Sequence, residues 1–303
     1  MKQNFLLTML AVICIIAAAT IGFRMISPSI LKPSKISIVS FAHLIPPFHT
    51  STPTQTPTPA PSPFPTPTPT PRPLTFAEMN ALYGPCAYVP VLFWHHIQDE
   101  KKAKALGHAQ LTVDVNIFRS QIQYLKDHGY TTIRPEQLTA FFDNAVALPP
   151  KSILLTVDDG YDDFASDAAP ILHDSSFQAT VFIPTGLMNN PGYMTWDTIA
   201  GLNGAGISFG NHTWSHRSVS ANRETDEKEI SIADTQLSQR NLNFAKVFAY
   251  PYGFPNKTAI DILSGLGYKL AFTTIPGSIQ CKGRRLTLVR IRIGNAALSA
   301  YGL

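Results

Sequence analysis

For residues 74–303 of this 303-residue chain the sequence predicts an α/β fold, a single barrel of parallel strands. Three observations predict it. Short apolar runs of strand length alternate with amphipathic or polar runs of helix length, the rhythm of parallel strands joined by crossover helices. About 230 residues of that alternation suit one barrel better than two domains. The residues able to do chemistry each follow directly on an apolar run, and in a parallel barrel those points share one rim.

The run YVPVLFW (Tyr88–Trp94) reads as the first strand, and an amphipathic helix over Val115–His128 follows, with Phe118, Ile122 and Leu125 at helical spacing. A short strand near Thr131–Ile133 leads to a helix from Pro135, where proline suits the first turn. Ile153–Val157 reads as a buried strand, and Asp158, Asp159 and Gly160 close it. A helix over Phe164–Leu172, a strand at Ala179–Ile183, a helix from Thr195 and a strand at Ile207–Phe209 continue the pattern. It ends with a long polar helix (Arg223–Leu242), a strand (Lys246–Tyr250), a helix (Lys257–Leu266), a strand (Lys269–Thr274) and a last strand around Leu286–Ile293.

The N-terminal part is of another kind. Phe5 to Phe23 is apolar without a charged residue and is closed by Arg24, so residues 1–24 are expected to be a transmembrane anchor or a signal peptide, with Ala17 and Ala19 offering a small-x-small cleavage site. Residues 25–73 are a Pro/Thr-rich linker, with TPTQTPTPAPSPFPTPTPTPRP at its heart. Such a segment buries no core; at roughly 3.1 Å per residue its stretch from Pro46 to Pro73 spaces a domain up to about 90 Å from a membrane. A net charge of +4, without a basic stripe, disfavours nucleic acid as a partner. The three cysteines show no CxxC spacing. Cys86 precedes the first barrel strand and Cys281 the last, neighbours in a closed barrel, so either a disulfide or two buried thiols is compatible.

The chemistry centres on LLTVDDG (Leu154–Gly160). Adjacent side chains at a strand end diverge, so one of Asp158 and Asp159 is free to bind a cation while the other takes a proton from water; capping of the next helix is the plainer role. GNHTWSH places His212 and His216 four apart just after a strand, where two imidazoles converge on one ion in a tight loop or on a helical turn. YPYG (Tyr250–Gly253) and the pair His95–His96 stand at corresponding points. Two histidines and a carboxylate with open positions make a hydrolytic metal site, and zinc is the default ion for that donor set.

On TVDDG, HTWSH, YPYG, PVLFWHHI, the YMTWD around Trp196, the GYKLAFTTIPG run and LVRIRI, the domain resembles a polysaccharide deacetylase of the NodB-homology type, carbohydrate esterase family 4, and most nearly its branch acting on poly-N-acetylglucosamine exopolysaccharide. The resemblance implies a distorted (β/α) barrel of seven or eight strands. It also implies a hydrolase removing N-acetyl groups from a cell-wall or exopolysaccharide glycan outside the cytoplasm, as a monomer that is membrane-anchored or secreted. Asp158 would be the base, with Asp159, His212 and His216 holding a divalent metal, Zn2+ in the usual case. Tyr252 would give its backbone N–H to the oxyanion, Trp196 and Trp214 would offer platforms to sugar rings, and Arg290 is grouped with these substrate-binding residues. Two departures stand out: Ala249 occupies the position of the family's base-orienting arginine, and no histidine follows His216 to supply the usual general acid. His95 is the expected replacement for that acid. An O-acetyl esterase on a xylan-like glycan and a catalytically silent wall-binding module are the competing readings; the second requires a lost base or ligand, and all four residues are present.

Overall fold

The structure is a computed structural model and describes residues 72–303. The expected anchor and nearly all of the linker lie outside the described residues. Seven parallel strands close into a ring: β1 (Val91–Trp94), β2 (Ser152–Asp158), β3 (Ala179–Ile183), β4 (Ile207–Asn211), β5 (Val247–Ala249), β6 (Leu270–Pro276) and β7 (Leu288–Arg292). Each pairs with the next in sequence, and β7 and β2 both flank β1, so the sheet has no free edge around the ring. The short strand Thr131–Thr132 pairs with Ser152 and Ile153, below the point where β1 joins β2. Seven is thus the count, within the expected range.

Two-sided burial explains the continuous apolar runs. Every residue of β2 is buried, because alternate side chains face the barrel interior and the surrounding helices. Leu154 joins Val91, Phe182, Val247, Ala249, Leu270, Phe272 and Leu288 in the inner cluster, whereas Leu92, Trp94, Leu155 and Val157 pack outward. The helices Val115–Asp127, Ala169–Asp174, Trp196–Leu202 and Arg223–Gln239 add Ile122, Leu172, Ile199 and Leu237 to that outer cluster, and Lys257–Gly265 packs Leu263 beside Tyr250.

The barrel is distorted at two places. No α-helix separates β6 from β7; the chain instead forms Ile279–Cys281, which pairs antiparallel with Cys86–Tyr88, so the expected strand from Tyr88 to Trp94 is two strands with different partners. Cys86 and Cys281 face each other in that pair and form a disulfide, which decides between the two readings of these cysteines. The helix expected over Phe164–Leu172 opens with a π turn at Phe164–Ala168, next to the Asp pair. Elements absent from the sequence reading are the helices Phe76–Tyr83 and Glu100–Leu106 and the pairing of His96–Ile97 with Thr112–Val113.

Candidate active site

Alternation along each strand selects what faces the rim cavity. Val91, Phe93 and His95 share one side of β1; Leu154, Thr156 and Asp158 one side of β2; Leu288, Arg290 and Arg292 one side of β7. At the C-terminal ends these rows meet in a cavity of about 660 Å³ whose wall includes His95, Asp158, Asp159, His212, His216 and Tyr252. The four motifs therefore do converge on one rim.

Asp158 is buried beneath the cavity and held by Arg290, whose Nη1 and Nη2 donate to its two carboxylate oxygens at 2.8 and 2.7 Å. Arg290 is itself fully buried. Its Nε donates to the Thr273 carbonyl at 2.8 Å, and the guanidinium lies 4.2 Å from the centre of the Phe93 ring. Burial alone would push the Asp158 carboxyl up, but the charge and two hydrogen bonds of Arg290 outweigh it and hold it below the usual carboxylate range. Arg290 was grouped with substrate-binding residues; the structure corrects this, since a side chain with no exposed surface and every interaction directed inward cannot touch a sugar. From β7 it thus makes the contact with Asp158 that the resemblance implies for an arginine at the position of Ala249.

Asp159 follows with φ 74°, which turns its carboxylate away from Asp158, and Gly160 continues the turn at φ 70° where a Cβ would lie 2.7 Å from Ile183. Asp159 Oδ1 lies 3.3 Å from His212 Nε2 and 3.0 Å from His216 Nε2. The histidines come from the loop after β4, not from a helical turn, and Thr213 and His216 both have positive φ. That loop is tied from below: Asn211 Oδ1 accepts from Thr213 N at 2.8 Å, and Glu229 of the helix Arg223–Gln239 accepts from Ser215 N at 2.9 Å. His212 Nδ1 lies 2.8 Å from the Ala249 carbonyl. A carbonyl only accepts, so Nδ1 carries a proton and Nε2 is the nitrogen turned toward Asp159 and available to a metal.

These residues fit a metal. Their donor atoms all lie within 4.8 Å of one another, and Asp159 Oδ1 is buried without a hydrogen-bond donor, a state that costs free energy unless a cation satisfies it.

The YPYG loop supplies the opposite wall. Tyr252 has φ 62° and an exposed ring whose centre is 5.0 Å from that of His216. Gly253 is required next, with φ 85° and a virtual Cβ 1.9 Å from Thr274 Oγ1.

The two neighbouring histidines that follow β1 part company. His95 lines the cavity; burial lowers its pKa, while Asp158 and Asp159 pull the other way. His96 faces outward into a closed cluster, paired with Asp163 and stacked between Tyr161 and His108. Neither of the two tryptophans lines this cavity. Trp196 is not part of the cavity wall: its indole packs on the outer core and is covered by the Arg240 guanidinium at 4.0 Å. Trp214 stands outside the wall too, its indole against Gly186, where a Cβ would lie 2.5 Å from Nε1. The aromatic wall is made instead by Tyr161, Tyr252 and Phe254, with Leu111 and Arg292 nearby. Tyr161 and Phe254 directly follow the DDG and YPYG motifs, a position that signals rim placement; Leu111 comes from the insertion after β1 and carries no such signal.

Seven strands, a carboxylate fixed by a buried guanidinium and an Asp-His-His donor set define a hydrolase of the barrel class. A family model described as polysaccharide deacetylase matches residues 145–271. The Streptococcus pyogenes deacetylase PplD, solved in complex with acetate, is 31% identical, with 68% of this chain and 92% of that one aligned at a TM-score of 0.64. The poly-beta-1,6-N-acetyl-D-glucosamine N-deacetylase of Escherichia coli (strain K12) is 26% identical over 229 residues, 61% of this chain but 33% of that protein's length. IcaB from Ammonifex degensii, 20% identical with a TM-score of 0.61 over 71% of this chain and 94% of its own, shares the fold. The chain belongs to the polysaccharide deacetylase family and is a hydrolase.

Proposed function

We propose that the chain removes N-acetyl groups from an N-acetylglucosamine polysaccharide outside the cytoplasm, using one divalent metal, zinc, held by Asp159, His212 and His216. One observation carries the reading: a carboxylate ionised by a buried guanidinium opens on the same cavity as an Asp-His-His donor triangle. A cation bound there would polarise the acetyl carbonyl and acidify a water molecule. Asp158, kept as a carboxylate by Arg290, takes the proton of the attacking water. The backbone N–H of Tyr252 donates to the oxyanion that develops on the carbonyl oxygen. His95 delivers a proton to the leaving amine, which departs poorly without one.

The disulfide supports an oxidising location, and the apolar N-terminus with its proline-rich spacer supports a domain tethered to or released from a membrane. The Escherichia coli relative makes poly-β-1,6-N-acetylglucosamine the first polymer to test. Incubation of the zinc-loaded full chain with that polymer, chito-oligosaccharides, peptidoglycan and O-acetylated xylan should release acetate from at least one of the first three; release only from the xylan would replace the reading with the esterase one. The role of His95 is tested by His95→Ala on an amide and on an acetyl ester of the same sugar. The loss should be far larger for the amide, and equal losses would remove the role.

A further inference from the structure

The inward row of β7 continues beyond Arg290 to Arg292, one pleat higher and exposed at the cavity mouth. There Arg292 belongs to two walls. With His95 and Leu111 it lines the catalytic cavity, and the same three residues open into a second hollow of about 270 Å³, bounded on its far side by Gln110, Thr112 and Gly294. The two spaces are neighbours that share the His95, Leu111 and Arg292 wall, with the Asp158 carboxylate on the catalytic side.

Arg292 differs from its neighbour two residues back in having no acid. Among the described residues no carboxylate lies within 4.0 Å of its guanidinium, whereas Arg290 holds Asp158 at 2.7 Å. Asp159, the other carboxylate of the cavity, belongs to the metal donor set beside His212 and His216. One hydrogen bond, from Arg292 Nη2 to the Gln110 carbonyl at 3.1 Å, steadies the side chain and leaves its other N–H groups to these spaces. A planar guanidinium so held presents the forked donor geometry that carboxylates and phosphates match. It also repels ammonium, so a glucosamine already stripped of its acetyl group is disfavoured beside it.

Resting on the deacetylase reading of the adjoining site, and deepening it, we infer that the hollow is a subsite for an anionic substituent, a carboxylate or a phosphate, on the sugar next to the one being deacetylated, with Arg292 as its charge partner. The preferred substrate is then an acidic N-acetylated glycan rather than a neutral one. The opposing reading is an arginine whose stem merely covers Leu111 while its head stays in water.

The test uses the zinc-loaded full chain and four β-linked acetamido tetrasaccharides: neutral chitotetraose, one carrying lactyl ether carboxylates, the methyl ester of that compound, and one carrying a 6-phosphate. Wild type should favour the carboxylate or the phosphate over the ester and chitotetraose by roughly 5–10-fold in kcat/KM, the preference shrinking with added salt. Comparison of the two anionic arms tells which group the subsite takes. Arg292→Gln should bring the ratio close to one, and Arg292→Lys should leave an intermediate value. Equal use of charged and neutral compounds by wild type, or an unchanged ratio in Arg292→Gln, overturns the inference. The same ratios are read from equilibrium binding of the four compounds by calorimetry. If no compound releases acetate, the deacetylase reading fails alone, and the subsite stands or falls on whether wild type binds the anions tighter and Arg292→Gln does not.

Discussion

Asp158 and Arg290 form a pair whose members depend on each other. Either charge alone in the barrel interior would be paid for in desolvation, and together they satisfy each other's hydrogen bonds. Arg290→Ala should therefore cost roughly 3–5 kcal/mol, because it leaves Asp158 buried without its partner, and urea denaturation will measure it. A loss under about 1 kcal/mol would mean that water reaches Asp158 and that the pair is not sealed. His212→Ala removes one of three metal donors and should abolish both stoichiometric zinc and acetate release; full zinc retention, read by elemental analysis, would remove these residues from the ligand set. At this scale the sequence showed much of the site. TVDDG, HTWSH and YPYG each sit where a strand ends, so position alone brought Asp158, Asp159, His212, His216 and Tyr252 to one cavity. What it hid was direction. Trp196 and Trp214 are near the right strands but turn onto Arg240 and Gly186, and nothing in a run of letters tells which side of a loop an indole takes. Arg290 was visible, but its burial and its bond to Asp158 depend on the stagger of β7 against β2 across the barrel.

Among the elements, the YPYG loop and the helix Pro135–Asn144 invite direct tests. Gly253→Ala would force a Cβ toward Thr274 Oγ1 at a backbone angle that alanine avoids, displacing Tyr252 from His216. Its expected signature is a large drop in kcat with an unchanged far-UV spectrum, whereas wild-type kcat would show that the loop position of Tyr252 is immaterial. The helix is joined to the segment before β7 by Asp143, whose two oxygens accept from Arg285 at 2.7 and 3.0 Å. Those hydrogen bonds hold the Asp143 carboxyl below its ordinary value. A carboxyl lowered on folding stabilises the protein above its unfolded pKa, near 3.9, and that contribution fades as pH falls through the lower folded value. Asp143→Asn should accordingly lower Tm at pH 7 and leave it close to wild type near pH 2, as scanning calorimetry will show; an equal deficit at both pH values would assign the effect to packing. Element boundaries were legible where apolar runs are buried on both faces, as at Ala179–Ile183, which the structure reproduces residue for residue. They were illegible where a proline interrupts: Pro90 lies between two strands with different partners, and the run Tyr88–Trp94 reads as one because both pieces are apolar.

For the whole molecule, the ring closes between the first and last strands, and the Cys86–Cys281 disulfide, 195 residues apart in sequence, joins the segments leading into them. Replacing both cysteines by serine should lower unfolding free energy by roughly 2–5 kcal/mol, since the cross-link restricts the unfolded chain across nearly the entire domain. An unchanged denaturation midpoint would show that the barrel closes without it. The strand and helix rhythm announced the barrel and set no helix between its last two strands, but it did not show the strand Ile279–Cys281 between them, because that segment owes its strand form to a partner near the other end of the domain. The central claim joins the scales: the barrel brings β2 and β7 together so that Arg290 makes Asp158 a base, beside a metal set that does not include it. The most direct measurement is zinc content and acetate release for Asp158→Asn on the substrate that wild type turns over best. The account predicts one zinc per chain, as in wild type, and turnover lower by about 10²–10⁴-fold, because an amide cannot accept the water's proton. Turnover within a few-fold of wild type, or loss of the zinc along with the carboxylate, would contradict it.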